Sequence, residues 1–299
     1  MKGTKGKVQA KRAKKIKPDP LTAVFYYNRG VDHFDRGDLE KAMSDYNRAL
    51  ELNPKLAYAL INRGLLYERS GDLDKAIANY DSAIKIDPGY GQVYHNRAYA
   101  CFLKGELDRA IADYTMALDL DTDNPGTYND RGVVYERKGE LDRAIADYTM
   151  AIELDPEFIY AYVNRGTSCR KQGDYNGAVT DCAKAIELDP GYAVAHYNRG
   201  LAHYHQEAYG KAIADFTMAI KLDPVMAVAY YARGAAYYGK GKSEKAIADF
   251  NRSIKLDPKD ADAYVNRGLC YQQTGEPEKA ESDFSKARAL GRHEHLAIN

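Results

Sequence analysis

The chain has 299 residues, 45% hydrophobic and 29% charged, and no apolar run of about 18 residues that could span a membrane as a helix. Its formal net charge is zero, yet residues 1–20 hold eight Lys/Arg and one Asp, so a basic tail precedes an acidic body. The first twenty residues lack an apolar centre, which excludes a secretory signal and makes the cytoplasm the expected compartment.

In chain order, residues 1–20 are expected to form a disordered basic tail. Its Lys/Arg residues, between positions 2 and 17, suit nucleic acid or another acidic surface. The run Lys11-Arg12-Ala13-Lys14-Lys15 would also suit nuclear import in a eukaryote. From Asn28 onward the tripeptide Asn-Arg-Gly, or a one-residue variant, recurs every 34 residues without insertion or deletion. Eight units therefore start at 23, 57, 91, 125, 159, 193, 227 and 261, within an array spanning 21–294. Residues 295–299 remain as a C-terminal tail.

Each unit carries two apolar patterns of helical period, at positions 4, 8 and 11 and at positions 20, 21, 24, 27, 28 and 30. Between them stands a Gly followed by an acid, as in Gly71-Asp72. The Gly suits the left-handed residue that ends a helix, and the acid suits the start of the next. An Asn-Pro or Asp-Pro pair, as at Asp87-Pro88, ends the second helix, because the residue before Pro avoids helical geometry. Every unit is thus read as helix–turn–helix. Two departures predict local irregularity: Thr122 replaces the Pro of unit 3, and Glu207 replaces the turn Gly of unit 6.

Small residues at 8, 20 and 27, with an aromatic residue at 24 in most units, predict two closely packed helices. Gly at position 8 is expected to touch the invariant Ala at position 20. Position 7 is Arg in all eight units, from Arg29 to Arg267. Position 23 is Asp in seven, and Asn79 in the other. Arg–carboxylate bonds between helices of one unit or of neighbours follow. In the last unit Glu281 and Arg288 replace apolar residues, which predicts a polar outer face that ends the stack.

The 34-residue period and the pattern of small and aromatic residues resemble the tetratricopeptide repeat, over about nine-tenths of the chain. The resemblance implies an all-α fold: a right-handed α-solenoid superhelix of eight helix–turn–helix repeats, with first helices lining a concave groove. It implies a scaffold that binds an extended peptide or partner protein there. The alternatives are a regulatory or substrate-recruiting array of a separate enzyme, and a nucleic-acid-associated protein acting through the basic tail. The cationic clamp that some members use for acidic C-termini is not carried over. Position 2 holds Val24, Tyr58, Gln92, Gly126, Tyr160, Val194, Val228 and Asp262, and position 9 holds no Asn.

No catalytic constellation is present, so neither an enzyme nor a cofactor is expected. Cys101, Cys169, Cys182 and Cys270 read as buried thiols. His196 and His203 stand where other units mostly carry Tyr, and read as Tyr substitutes in preference to metal ligands. The candidate groove residues are the amides at position 6: Asn28, Asn62, Asn96, Asn164, Asn198 and Asn266. A side-chain amide can donate and accept at once, which suits a peptide backbone. Tyr197 and Tyr231 at position 5, with Tyr204 and Tyr238 at position 12, add aromatic anchors. As groove residues they are expected to be independent of the helix–helix seams.

Overall fold

A computed structural model describes residues 20–292. The basic tail and the residues past 292 lie outside the described region, and so do the readings that fall on them. The described residues form sixteen helices. One compact unit, ending at Asp121, holds three helix pairs: α1 (Pro20–Asp35) with α2 (Leu39–Leu52), α3 (Ala57–Arg69) with α4 (Leu73–Ile86), and α5 (Gly91–Lys104) with α6 (Leu107–Leu120). The second unit, beginning at Thr122, holds five pairs among the described residues. These are α7 (Pro125–Lys138) with α8 (Leu141–Leu154), α9 (Ile159–Gln172) with α10 (Tyr175–Leu188), and α11 (Ala193–His205) with α12 (Tyr209–Leu222). Then come α13 (Ala227–Gly239) with α14 (Ser243–Leu256), and α15 (Ala261–Gln273) with α16 (Pro277–Ala289). The fold is an all-α helical repeat solenoid.

The turn inside each pair follows from the Gly. Gly71 has φ +80°, and its N–H donates to the Glu68 carbonyl at 3.0 Å while Asp72 N–H donates to Tyr67 at 2.9 Å. That is the double bond of a left-handed helix stop. The acid that follows caps the next helix in only some repeats. Asp72 and Asp174 accept backbone N–H groups from Lys75 and Gly177. Glu140 instead pairs with Arg143, three residues on. The Glu207 turn is not irregular. It keeps both bonds, from Glu207 to Tyr204 and from Ala208 to His203 at 2.9 Å each, with Glu207 itself at φ 56°. Thr122 does not disturb α6 either, since Asp121 adopts the same extended conformation as Asp87. Pro125 opens α7, where Asn124 caps Thr127 N–H at 2.9 Å. The boundary between the two compact units falls between Asp121 and Thr122.

Inside each pair the position-24 ring is the keystone. Tyr46, Tyr80, Tyr114, Tyr148, Phe216 and Phe250 are fully buried. The position-8 Gly makes room for that ring, which corrects the expected contact with Ala at 20. A Cβ added at Gly64 would lie 2.5 Å from Tyr80 Cε1, and one at Gly200 would lie 2.6 Å from Phe216 Cε1. Unit 5 is the exception, where Cys182 Sγ would be 3.2 Å away from a Cβ on Gly166.

The Arg at position 7 bonds as expected, always within its own pair. Seven guanidinium groups grip the position-23 carboxylate through Nε and Nη2 at 2.6–3.0 Å. Arg63 makes a single bond to Asn79 Oδ1, at 2.9 Å. Several also reach back one repeat: Arg63 Nη1 to Asn47, Arg97 to Asp81, Arg165 to Thr149, Arg233 to Thr217 and Arg267 to Asn251. Rings at positions 4 and 11 cover the guanidinium, as Tyr264 and Tyr271 cover Arg267 at 5.5 and 5.9 Å. This, with position 24, accounts for much of the Tyr excess. Glu281 and Arg288 are exposed on α16 and bond to each other at 2.6 Å.

Candidate functional site

Within each unit the first helices of successive repeats touch. α3 meets α5, and α7, α9, α11, α13 and α15 meet in series. Each second helix packs on the first helix of its own pair, and α2, α4, α8, α10, α12 and α14 pack also on the next first helix. The first helices therefore line the inner face, and their free sides are the candidate site.

The Asn residues there are not idle. Asn62 Nδ2 lies 3.4 Å from Tyr46 Oη. Asn96 is buried and accepts from Gln92 Nε2 at 2.9 Å. Asn164 Nδ2 donates to Asn129 Oδ1 at 2.9 Å, and Asn198 Nδ2 donates to the Val194 carbonyl at 3.1 Å. Asn266 is buried and donates to Tyr231 Oη at 2.7 Å. Asn28 is exposed. Five of the six amides thus have internal bonds, which leaves their remaining acceptor or donor capacity for a ligand.

The four tyrosines are half-buried, and their inner ring faces serve the seams. Tyr197 lies 5.9 Å from Phe216, and Tyr231 lies 5.8 Å from Phe250. Tyr204 packs edge-on to Tyr209 at 5.6 Å, and Tyr238 packs in the cluster of Phe250 and Cys270. Burial pushes the Tyr231 phenol up to about 12 and raises those of Tyr197, Tyr204 and Tyr238. The expectation that these side chains stand apart from the packing is therefore corrected. Each has one face in a seam and one edge toward solvent.

A different set of rings is freer. In the first unit Tyr27, Tyr58 and Tyr90 form a line, with centroids 6.4 and 5.7 Å apart. In the second unit Phe158, Tyr160 and Tyr192 do the same, at 6.0 and 5.9 Å. Tyr58 and Tyr160 are 53% and 58% exposed, and Val228 is 52% exposed at the corresponding place in repeat 7. Tyr58, Tyr160 and Val228 sit at position 2, Tyr90, Phe158 and Tyr192 at the last position of their repeats, and Tyr27 at position 5. The sequence reading passed over them as recognition residues, although the apolar character of position 2 was the available signal.

The histidines substitute for Tyr. His196 Nε2 lies 3.2 Å from the Pro190 carbonyl, the contact that Tyr162 and Tyr230 hydroxyls make with Pro156 and Pro224. Among the described residues no group of three or more His, Cys, Asp or Glu could hold a metal. All four thiols are buried, and burial pushes Cys182 and Cys270 up to about 12. Such thiols are poor nucleophiles. No helix among the described residues is long and apolar enough to cross a membrane.

Sequence profiles for the TPR repeat match residues 30–71, 98–139, 166–207 and 236–275. Those for the tetratricopeptide repeat match 57–90, 125–158, 193–224 and 261–292. A curated relative, uncharacterized protein MJ0572 of Methanocaldococcus jannaschii, is 50% identical over 32 residues, 11% of this chain and 37% of that protein. The chain thus spans well under two thirds of that relative's length. A tetratricopeptide repeat protein from Parabacteroides merdae is similar in structure, with TM-score 0.66 and 26% identity over 79% of this chain and 93% of that one. So is YrrB, described as a TPR protein with an unusual peptide-binding site, with TM-score 0.54 and 26% identity over 63% of this chain and 97% of that one. MamA is similar at TM-score 0.50 and 31% identity over 54% of this chain and 94% of that one. The period, the paired helices and the profile matches together show that the chain belongs to the tetratricopeptide repeat family, whose repeats support protein interaction.

Proposed function

We propose that the inner face of the second unit holds an extended segment of a partner protein. The observation that carries this reading is the line of rings formed by Phe158, Tyr160 and Tyr192 at the starts of α9 and α11, with Tyr160 58% exposed and the other two half-buried. Rigid amphipathic rings supply contact area at low entropic cost and are frequent interface anchors. The half-free amides of Asn164, Asn198 and Asn266 would meet the peptide backbone, and the solvent edges of Tyr197, Tyr204, Tyr231 and Tyr238 would frame it. Asn28, Asn62 and Asn96 would act in the same way beside Tyr27, Tyr58 and Tyr90 in the first unit. The peptide-binding description of YrrB supports the reading by analogy.

The test selects peptides from a random display library on the full chain, then measures their affinity for variants. Tyr160→Ser should weaken binding by about 2 kcal/mol if Tyr160 is an anchor. Its exposure means that stability should move by less than about 0.5 kcal/mol. Asn198→Ala should cost about 1 kcal/mol of affinity, the value of one ordinary hydrogen bond. Unchanged affinity in both variants would sink this reading of the face.

A further inference from the structure

Position 12 of the repeat shows an exchange that the fold does not use. In repeat 2 the position holds Glu68, which accepts from Tyr80 Oη at 3.2 Å. In repeat 4 it holds Glu136, which accepts from Ser168 Oγ at 2.7 Å and Lys171 Nζ at 2.8 Å. Both repeats have Tyr at position 24. Repeat 5 has changed both partners, to Arg170 at position 12 and Cys182 at position 24. A small thiol replaces the phenol, and a cation replaces the anion.

The Arg170 guanidinium has no hydrogen-bond or ion-pair partner among the described residues, and its Nε is buried. The groups within range of its charge include Cys182, Tyr197 and His205. Cys182 is fully buried with a thiol pushed up to about 12 by burial, so it stays neutral. Tyr197, on the next first helix, is held neutral by burial and lies within range of the Arg170 charge. His205 is also in range. Burial lowers its pKa, so the imidazole is neutral, and it stacks on Tyr175 at 5.2 Å. Nearby Glu136 is already shared by Ser168 and Lys171. A half-buried guanidinium among neutral rings is a costly arrangement unless something supplies a counter-charge. A carboxylate matches its fork by two parallel N–H···O bonds.

We propose that Arg170 is the recognition site for an Asp or Glu side chain of the bound segment, set among apolar residues that meet Tyr192, Val194, Tyr197 and Tyr204. This rests on the reading that the inner face of the second unit binds a peptide. It goes further by assigning the charge of the ligand and its point of contact. The site lies outside positions 2, 5, 6 and 9, where the family's cationic clamp would stand.

The test uses the full chain and three pools of short fluorescent peptides, randomised over Leu, Val, Tyr, Phe, Asn and Ser around one fixed central residue. The first has central Glu and blocked termini, the second central Gln and blocked termini, and the third central Gln with a free C-terminal carboxylate. Binding is read by fluorescence anisotropy. The Glu pool should bind about tenfold tighter than the blocked Gln pool, as a charge-assisted pair in a partly dry site provides. Arg170→Gln should abolish that preference while leaving affinity for the blocked Gln pool unchanged. Arg170→Lys should restore part of it, and circular dichroism melts should show both variants folded. Equal binding of the Glu and Gln pools, or a preference that survives Arg170→Gln, would overturn the proposal. Tightest binding of the third pool would overturn the side-chain assignment in favour of a chain end. Failure of all three pools to bind would instead remove the peptide-binding face itself, and the proposal with it.

Discussion

At the scale of single residues, repetition turns each departure into a controlled comparison. Seven repeats of this array end their first helix on a left-handed Gly, from Gly37 to Gly275, and the sixth makes the same turn with Glu207 at φ 56°. An L residue there crowds its Cβ against the backbone, at a cost of about 1–2 kcal/mol. Glu207→Gly should therefore raise stability by about 1 kcal/mol, read as a higher midpoint in thermal or urea unfolding. A lower midpoint would mean that the Glu207 side chain contributes more than its backbone costs. The position-8 glycines give the opposite comparison. A methyl on Gly64 would meet the fully buried Tyr80 ring at 2.5, 2.9 and 3.0 Å, whereas one on Gly166 would meet only Cys182 Sγ, Asp181 Cβ and a carbonyl at 3.2–3.3 Å. Overpacking costs about 1–3 kcal/mol, against about 1 kcal/mol gained when Ala replaces Gly in a helix. Gly64→Ala should destabilise, and Gly166→Ala should be near neutral. Repeat 3 pairs Ala98 with a fully buried Tyr114, whose ring stands edge-on to His95 at 5.2 Å. Equal loss in both variants would show that the ring at position 24 is not what position 8 accommodates.

At the scale of the helix pair, the Arg staple ties the first helix to the second and often to the previous repeat. Repeat 2 is its weak copy. Arg63 faces Asn79 where the other repeats have a carboxylate, and burial pulls its pKa down with no anion to oppose that. Asn79→Asp should supply the missing charge and raise stability by about 1 kcal/mol, the difference between a neutral and a charge-assisted bond. A fall in the unfolding midpoint would indicate that the added carboxylate loses more hydration than the guanidinium returns. This pairing was legible in the sequence because Arg and acid stand sixteen residues apart in seven of the eight copies, and the turns and helix ends were legible from the same repetition. The line of rings at Tyr58–Tyr90 and Phe158–Tyr160–Tyr192 was not. It straddles the repeat boundary, and its positions change chemistry from copy to copy, from Tyr90 to Asn124 to Phe158. Asn266 and Tyr231 stand on successive first helices, α15 and α13. That they spend a hydrogen bond on each other depends on the approach of two successive first helices, which no local pattern reports.

At the scale of the whole molecule, stability in such an array is a sum over repeats and their interfaces, so the terminal copies open first. The four thiols are placed to report this. Cys101 lies in the first unit, Cys169 and Cys182 lie in a repeat with neighbours on both sides, and Cys270 lies in the last repeat, whose outer helix presents Glu281 and Arg288 to solvent. All four are buried, so labelling requires opening. Timed alkylation at pH 8, read by mass spectrometry, should modify Cys270 first and Cys182 last. A single rate for all four would mean that the chain opens as one cooperative block. The same burial sets a pH dependence. Burial raises Cys182 and Cys270 from the ordinary 9.0 to about 12, and Cys101 to about 11, so the folded state keeps protons that the unfolded state releases. The unfolded state binds fewer protons above pH 9, and stability must fall as pH rises from there toward about 12. Replacing Cys182 with Ser removes a raised thiol without adding another group that titrates in that window. The alkaline decline in unfolding free energy should therefore be shallower in Cys182→Ser than in the parent, whatever its stability at pH 7. An identical slope would show that the thiol is not the group that carries the decline.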